Sequence, residues 1–431
     1  MPSSHALDRT EITFDDDHAV ANAGLLMTAT LAGRLGLEAL VDEMVDLGDR
    51  PAAARPGRKV MTLVHSMVAG GDTIEDADVL RSGATEQVLS HRVIAPSTLG
   101  TFLRSFTFGH VRQLDRVGES ALRRAWAAGA SPGEAPMTID LDSTVCEVHG
   151  HHKGGAAYGH TRVLGYHPLL ATRAETGEVL HVRQRKGSAN TARGAVRFFC
   201  ELVHRVRRAG ATGALTVRAG SGFWSDRLIG TCRRLGVAFS ITVRQIPQVK
   251  QAITQIPEDE WTPIDYTEGG VAQVAETTYK EDRLIVRRTR LVGPQVKLWP
   301  DWRHHAFITD RRGDATDLDA DHRRHVVIEL AIRDLKEGAG LNHCPSGRFF
   351  ANAAWLVLAA LAHNLLRWTA CVGLQIDGPV VAKTLRRRFV AVPGWLTRSA
   401  RRFHLHLPRA WPWADAFLLA LRRMRALPLL A

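Results

Sequence analysis

Cysteine is scarce, and the five that occur, Cys146, Cys200, Cys232, Cys344 and Cys371, form no CxxC pair. That spacing argues against a disulfide framework and against a structural zinc site, and it suits a reducing cytoplasm. A long apolar run is missing as well. The most hydrophobic stretch, 351–366, is interrupted by Asn352, His363 and Asn364 and is short for a bilayer, so it predicts a buried helix and no membrane partner. The first twenty residues carry Asp15, Asp16 and Asp17 and no basic run, which argues against a secretory leader. Lysine is rare too: only eight of the 56 basic residues are Lys.

What remains is a globular composition, 45% hydrophobic and 23% charged, in a chain long enough for two or three compact units. The formal charge of +12 favours a polyanionic partner through phosphate neutralisation, and nucleic acid is the first expectation. An arginine excess of this kind also follows from a G+C-rich genome, so charge leaves the partner open.

Apolar residues recur three and four apart from about Ala19 to Ala128, which predicts an all-α N-terminal unit over 1–130. Within it Ser97 is a candidate N-cap, and Arg104 and Arg112 could face phosphates or simply flank a packing helix. After the turn-rich SPGEAP segment the texture becomes β-rich, then alternates between strands and helices over 137–243. Residues 244–311 read as an inserted β subdomain, followed by an acidic turn, DATDLDAD, and by helical patterns over 322–336 and 349–368 within a 312–372 unit. The segment 373–431 is basic and interleaved with Trp395, Phe403, Trp411 and Trp413. The Gly-rich stretch HHKGGAAYGH fails the Walker spacing and reads as a mobile loop.

Three acidic residues stand out. Asp140 and Asp142 share one face of a predicted strand, because residues two apart point the same way. Glu329 and Lys336, seven apart, share a helical face and could serve a metal and a phosphate together. Carboxylates from different elements are what metal-dependent phosphoryl transfer on DNA requires. Either pattern alone also fits an ordinary charged surface.

Taken in order, DLDST, VRAGSGFWS and HxxHxxxExxxxxxK before an Asn-containing apolar helix resemble the DDE transposases of the bacterial insertion-sequence thirteen-eighty family, in the YREK cut-and-paste group. The resemblance spans most of the chain. It implies an α/β fold with an RNase H-like core, interrupted by the β-rich insertion and preceded by a helical domain that binds DNA ends. It implies Mg²⁺, with Mn²⁺ able to substitute, held by Asp142 and Glu329 as catalytic ligands. Lys336 matches the motif's Lys, while the motif's Tyr and Arg fall on His322 and His325, all three as DNA contacts. Trp299 and Trp302 become candidates to stack on a flipped base. The implied partners are duplex DNA at transposon ends and target, with a homodimer pairing the ends in the bacterial nucleoid. The chain departs from the pattern at one place: where the second catalytic Asp belongs it has Gly220, so impaired cleavage is expected.

Overall fold

The computed structural model describes residues 10–150, 152–159, 161–267, 269–291 and 302–430. A short strand β1 (Ala19–Val20) opens the chain, and six helices follow: α1 (Leu25–Arg34), α2 (Leu37–Met44), α3 (Pro56–Ala69), α4 (Thr85–Leu89), α5 (Pro96–Arg104) and α6 (Phe108–Ala125). Pro96, not Ser97, begins α5, with Ala95 as an extended N-cap that offers no side-chain bond. Thr107 restarts the chain as α6 through a capping box with His110. Arg112 is paired within the protein, its guanidinium 3.1 Å from both Asp115 and Glu201.

The next stretch supplies β2 (Met137–Ser143), β3 (Cys146–Glu147), β4 (Ala157–Tyr158), β5 (Leu164–Tyr166), β6 (Leu169–Arg173), β7 (Val179–Arg183), α7 (Ala195–Ala209), β8 (Leu215–Ala219), α8 (Asp226–Arg234) and β9 (Ala238–Thr242). Then come α9 (Pro247–Thr254), β10 (Thr262–Ile264), β11 (Gly270–Tyr279), β12 (Asp282–Leu291) and β13 (Arg303–Thr309). Nine of these strands make one sheet in the order β10-β11-β12-β13-β9-β8-β2-β6-β7. Strands β2, β8 and β9 run parallel, joined through α8 and the longer crossover containing α7, while β6 is antiparallel to both its neighbours. The strands of the β-rich 244–311 segment continue this sheet, because β13 pairs with β9 through Phe307–Thr242, Ile308–Ile241 and Thr309–Ser240.

The acidic stretch expected to turn is a helix, α10 (Ala315–Arg323), because Asp314 caps it by accepting from the Thr316 N–H at 2.7 Å. A 3₁₀ turn at Arg324–Val326 separates it from α11 (Val327–Gly338), so 322–336 is not one continuous α-helix. The long α12 (Phe349–Trp368) runs through the middle of the molecule against α3, α5, α6, α11 and β7. It is apolar and, with the turn to Leu374, long enough to cross a membrane, yet 89% of its most apolar window is buried inside the protein. Each fully buried Leu there contributes about 1.5–3 kcal/mol. The chain ends with α13 (Ala382–Leu385), a hairpin of β14 (Gly394–Ser399) and β15 (Arg402–His406), and α14 (Ala414–Ala426).

One apolar cluster extends from Leu25 to Met424, so the N-terminal helices and the sheet share a core. Glu178 fastens that junction: its Oε1 accepts from the indoles of Trp126 at 2.8 Å and Trp368 at 3.3 Å. A smaller cluster, Val274, Ile285, Phe307 and Leu318, lies between the outer strands and α10.

Candidate active site

Strand β2 turns Ile139 and Leu141 into the core and sets Asp140 and Asp142 on the opposite face, as strand alternation requires. Asp142 lies at the strand's end, half-buried, with Oδ1 accepting from the Ser143 N–H at 2.7 Å. Burial raises its pKa, the Ser143 N–H and His325 draw it back, and the charges of Glu329 and Asp140 push it up again. The helical carboxylate and the strand carboxylate thus sense each other's charge.

On the neighbouring parallel strand, Ala219 is paired with Leu141 in the last rung. Gly220 follows immediately and stands beside Asp142. Its backbone is extended, φ −72° and ψ 170°, a conformation open to any residue, and a Cβ built there would meet no heavy atom within 4 Å. An aspartate side chain would find room here without displacing a neighbour. Asp226 does not substitute: it heads α8, largely exposed, and pairs with Lys280 Nζ at 2.8 Å.

One rung below, Asp140 and Arg218 form a two-pronged ion pair, Nε to Oδ1 at 2.8 Å and Nη2 to Oδ2 at 2.9 Å. Both are buried, Arg218 at 2% exposure. Arg218 Nη1 also donates to the Asp321 carbonyl at 2.6 Å, and His325 Nδ1 sits 2.9 Å from Asp140 Oδ1. This network joins β2, β8, α10 and the turn before α11, and it commits Asp140 to structure. Sequence reasoning saw the Asp-x-Asp but not its buried cation, since Arg218 looks like any strand arginine until the partner strand is known.

Helix α11 crosses the exit of β2. Glu329 is exposed in its first turn, and Lys336, in its last, donates to the Val145 carbonyl at 2.8 Å. His322, an expected DNA contact, is engaged within the protein. Its ring stacks on Phe307 at 4.0 Å, and its two nitrogens are taken by Ser240 Oγ at 2.8 Å and Thr242 Oγ1 at 3.0 Å. Burial, then the positive neighbours His325 and Arg218, hold its pKa near 3, so it is a neutral brace between α10 and β9. Trp302 is covered by the guanidinium carbons of Arg288 and Arg290, 4.5 and 4.6 Å from the ring centroid, so stacking on a base requires those cations to move. Trp299 lies outside the described residues.

Among the described residues, the donor group whose atoms all fall within 4.8 Å of one another is Asp115, His181 and Glu201, away from Asp142. It is a poor cation site. Arg205 lies 2.7 Å from Asp115, Arg183 and Arg112 bind Glu201, and the three guanidiniums already neutralise both carboxylates. At the β2 site the charge of Glu329 acts on Asp142, and among the described residues no third donor joins them in such a group. A two-ion centre of hard oxygen ligands needs more than this, so the residues present do not fit it.

No curated protein matches this sequence. A piggyBac transposase, solved by cryo-EM as a synaptic complex with hairpin DNA, aligns over 86% of this chain and 79% of its own at a TM-score of 0.45 and 11% identity, too distant to carry residue roles. The family profile described as Transposase DDE domain group 1 matches residues 4–429, nearly the full length, and this chain belongs to that family.

Proposed function

We propose that this chain is a transposase of the insertion-sequence thirteen-eighty kind, which binds the terminal inverted repeats of its element and pairs the ends as a homodimer. Its active centre is the meeting of β2 with α11; DNA strand cleavage and strand transfer there would depend on Mg²⁺, for which the native donor set lacks the carboxylate missing at position 220. The observation that carries the reading is the trio at that meeting: Asp142, the charge of Glu329 acting on it, and the empty Gly220 position alongside. An RNase H-like core is supported by the strand order β7-β6-β2-β8-β9 with only β6 reversed relative to both neighbours. His325 and Lys336, on the edge of the site, hold the DNA backbone in this reading, and Trp302 with Trp299 would meet a displaced base.

With one carboxylate missing, cleavage by the native chain is impaired. A second reading, favoured by Gly220 itself, is a silent relative that occupies transposon ends and regulates without cutting. End cleavage with Mg²⁺ or Mn²⁺, run on the native chain and on Gly220→Asp, separates the two. Weak native cutting that the variant raises supports the impaired enzyme, and cutting by the variant alone supports the silent one. Full native activity would refute the assignment of position 220.

A further inference from the structure

After β7 the chain makes a turn, 186–194, that ends at Gly194 in the left-handed region, φ +77°, and restarts as α7. Arg185, at 8% exposure, holds that turn from beneath. Its Nε donates to the His167 carbonyl at 2.7 Å, and its Nη1 to the carbonyls of Asn190, Thr191 and Arg193 at 2.8, 3.1 and 2.9 Å. Its Nη2 is buried and has no partner. Among the described residues no carboxylate lies within ion-pair distance of it, and burial together with neighbouring Arg193 pushes its pKa down to about 10. A buried cation without a counter-charge is costly, and an anion nearby would relieve it.

The helix that starts here is open at its positive end. Gly194 offers no capping side chain, the first turn contains no acid, and the N–H groups of Val196 and Arg197 meet no acceptor among the described residues. Such an end attracts oxyanions through its free donors and its dipole. Lys186 and Arg193 flank it, both exposed. The turn also borders the candidate active site: Thr191 Oγ1 lies 3.3 Å from Ser143 Oγ, next to Asp142, and Thr191 Cβ lies 2.9 Å from where a Cβ on Gly222 would sit.

We propose that the 186–194 turn and the N-terminus of α7 form a phosphodiester-binding subsite that seats a DNA backbone phosphate next to Asp142. The proposal rests on the transposase reading and adds a grip on the DNA backbone beside Ser143. Arg193 supplies the mobile contact, the α7 amides the fixed one, and Arg185 acts as a positioning residue that shapes the turn.

The test is equilibrium binding of a short duplex by the full chain over a salt series, for the native protein, Arg193→Ala, Arg193→Glu and Arg193→Lys. Arg193 is exposed, and thermal melting would verify that each variant keeps its fold. Loss of one phosphate contact flattens the plot of log affinity against log salt by about 0.9. Arg193→Ala is expected to bind several-fold more weakly at low salt with that shallower slope, Arg193→Glu more weakly still, and Arg193→Lys with the native slope. Native affinity and slope in both the Ala and Glu variants would overturn the subsite while leaving the transposase reading intact. A native chain that retains no duplex at low salt would sink that reading and the subsite with it.

Discussion

Gly220 and Asp142 are neighbours across two parallel strands, one step past the rung that pairs Ala219 with Leu141. Because the glycine is extended and the space beyond it open, an aspartate fits there without moving the backbone. Gly220→Asp is expected to raise cation-dependent end cleavage by about 10² or more, the scale on which one preorganised charge-stabilising group is felt. The same variant should melt lower than native without divalent cation, since a third negative charge joins Asp142 and Glu329. Saturating Mg²⁺ should reverse this, worth about 2.7 kcal/mol at a hundredfold excess over Kd. A melting point indifferent to cation would count against the site.

Asp142 charges at a cost in the native chain, because burial and then Glu329 and Asp140 raise its pKa beyond what Ser143 and His325 recover. With a folded pKa above the unfolded one, the native state loses stability as pH rises from the ordinary carboxylate range through the raised value. Asp142→Asn removes that cost. It should melt higher than native at neutral pH, with the gap closing toward pH 4, while cleavage in the Gly220→Asp background is abolished. A variant less stable than native at pH 7 would show that Asp142 is paired and structural.

Arg218 is expected to matter for stability as much as any core residue. Arg218→Met strands the buried carboxylate of Asp140 and should cost about 3–5 kcal/mol in urea unfolding. Adding Asp140→Asn should recover part of the loss, since no charge is then left unpaired. Strictly additive losses would mean that the two side chains do not act as a pair.

Three histidines, the buried His65 and His363 and the half-buried His322, have pKa values near 3. Each takes up its proton in the unfolded chain near pH 6.5 but not in the folded one until about 3, so stability is complete above the first value and falls as pH drops toward the second. Thermal melting should decline below about pH 6.5, before the carboxylates titrate. His322→Asn, which can still meet the Ser240 and Thr242 hydroxyls, should soften that decline. A melting point flat from pH 7 to 5 would contradict it.

The strand bearing Asp142, the helix bearing Glu329 and the switch to β texture after SPGEAP were legible in the sequence because each is a local pattern. What escaped it is non-local or depends on caps. The pairing of β13 with β9, which carries the strands of 244–311 into the central sheet, cannot be seen from either strand alone. Asp314 turned an apparently acidic loop into α10. The hairpin of β14 and β15 hid inside a tail that composition marked only as basic, and β1 joins it from the far end of the chain. His322 read as a phosphate contact because a sequence cannot show that two strand hydroxyls already occupy its ring.

The continuous sheet has a mechanical consequence. The ribbon of β11 and β12 is hydrogen-bonded, through β13 and β9, to the strand that ends at Ala219, just before Gly220. A nucleic-acid strand that bent the ribbon's outer end would therefore strain the backbone beside Asp142, so loading at that edge and geometry at the carboxylates cannot vary independently.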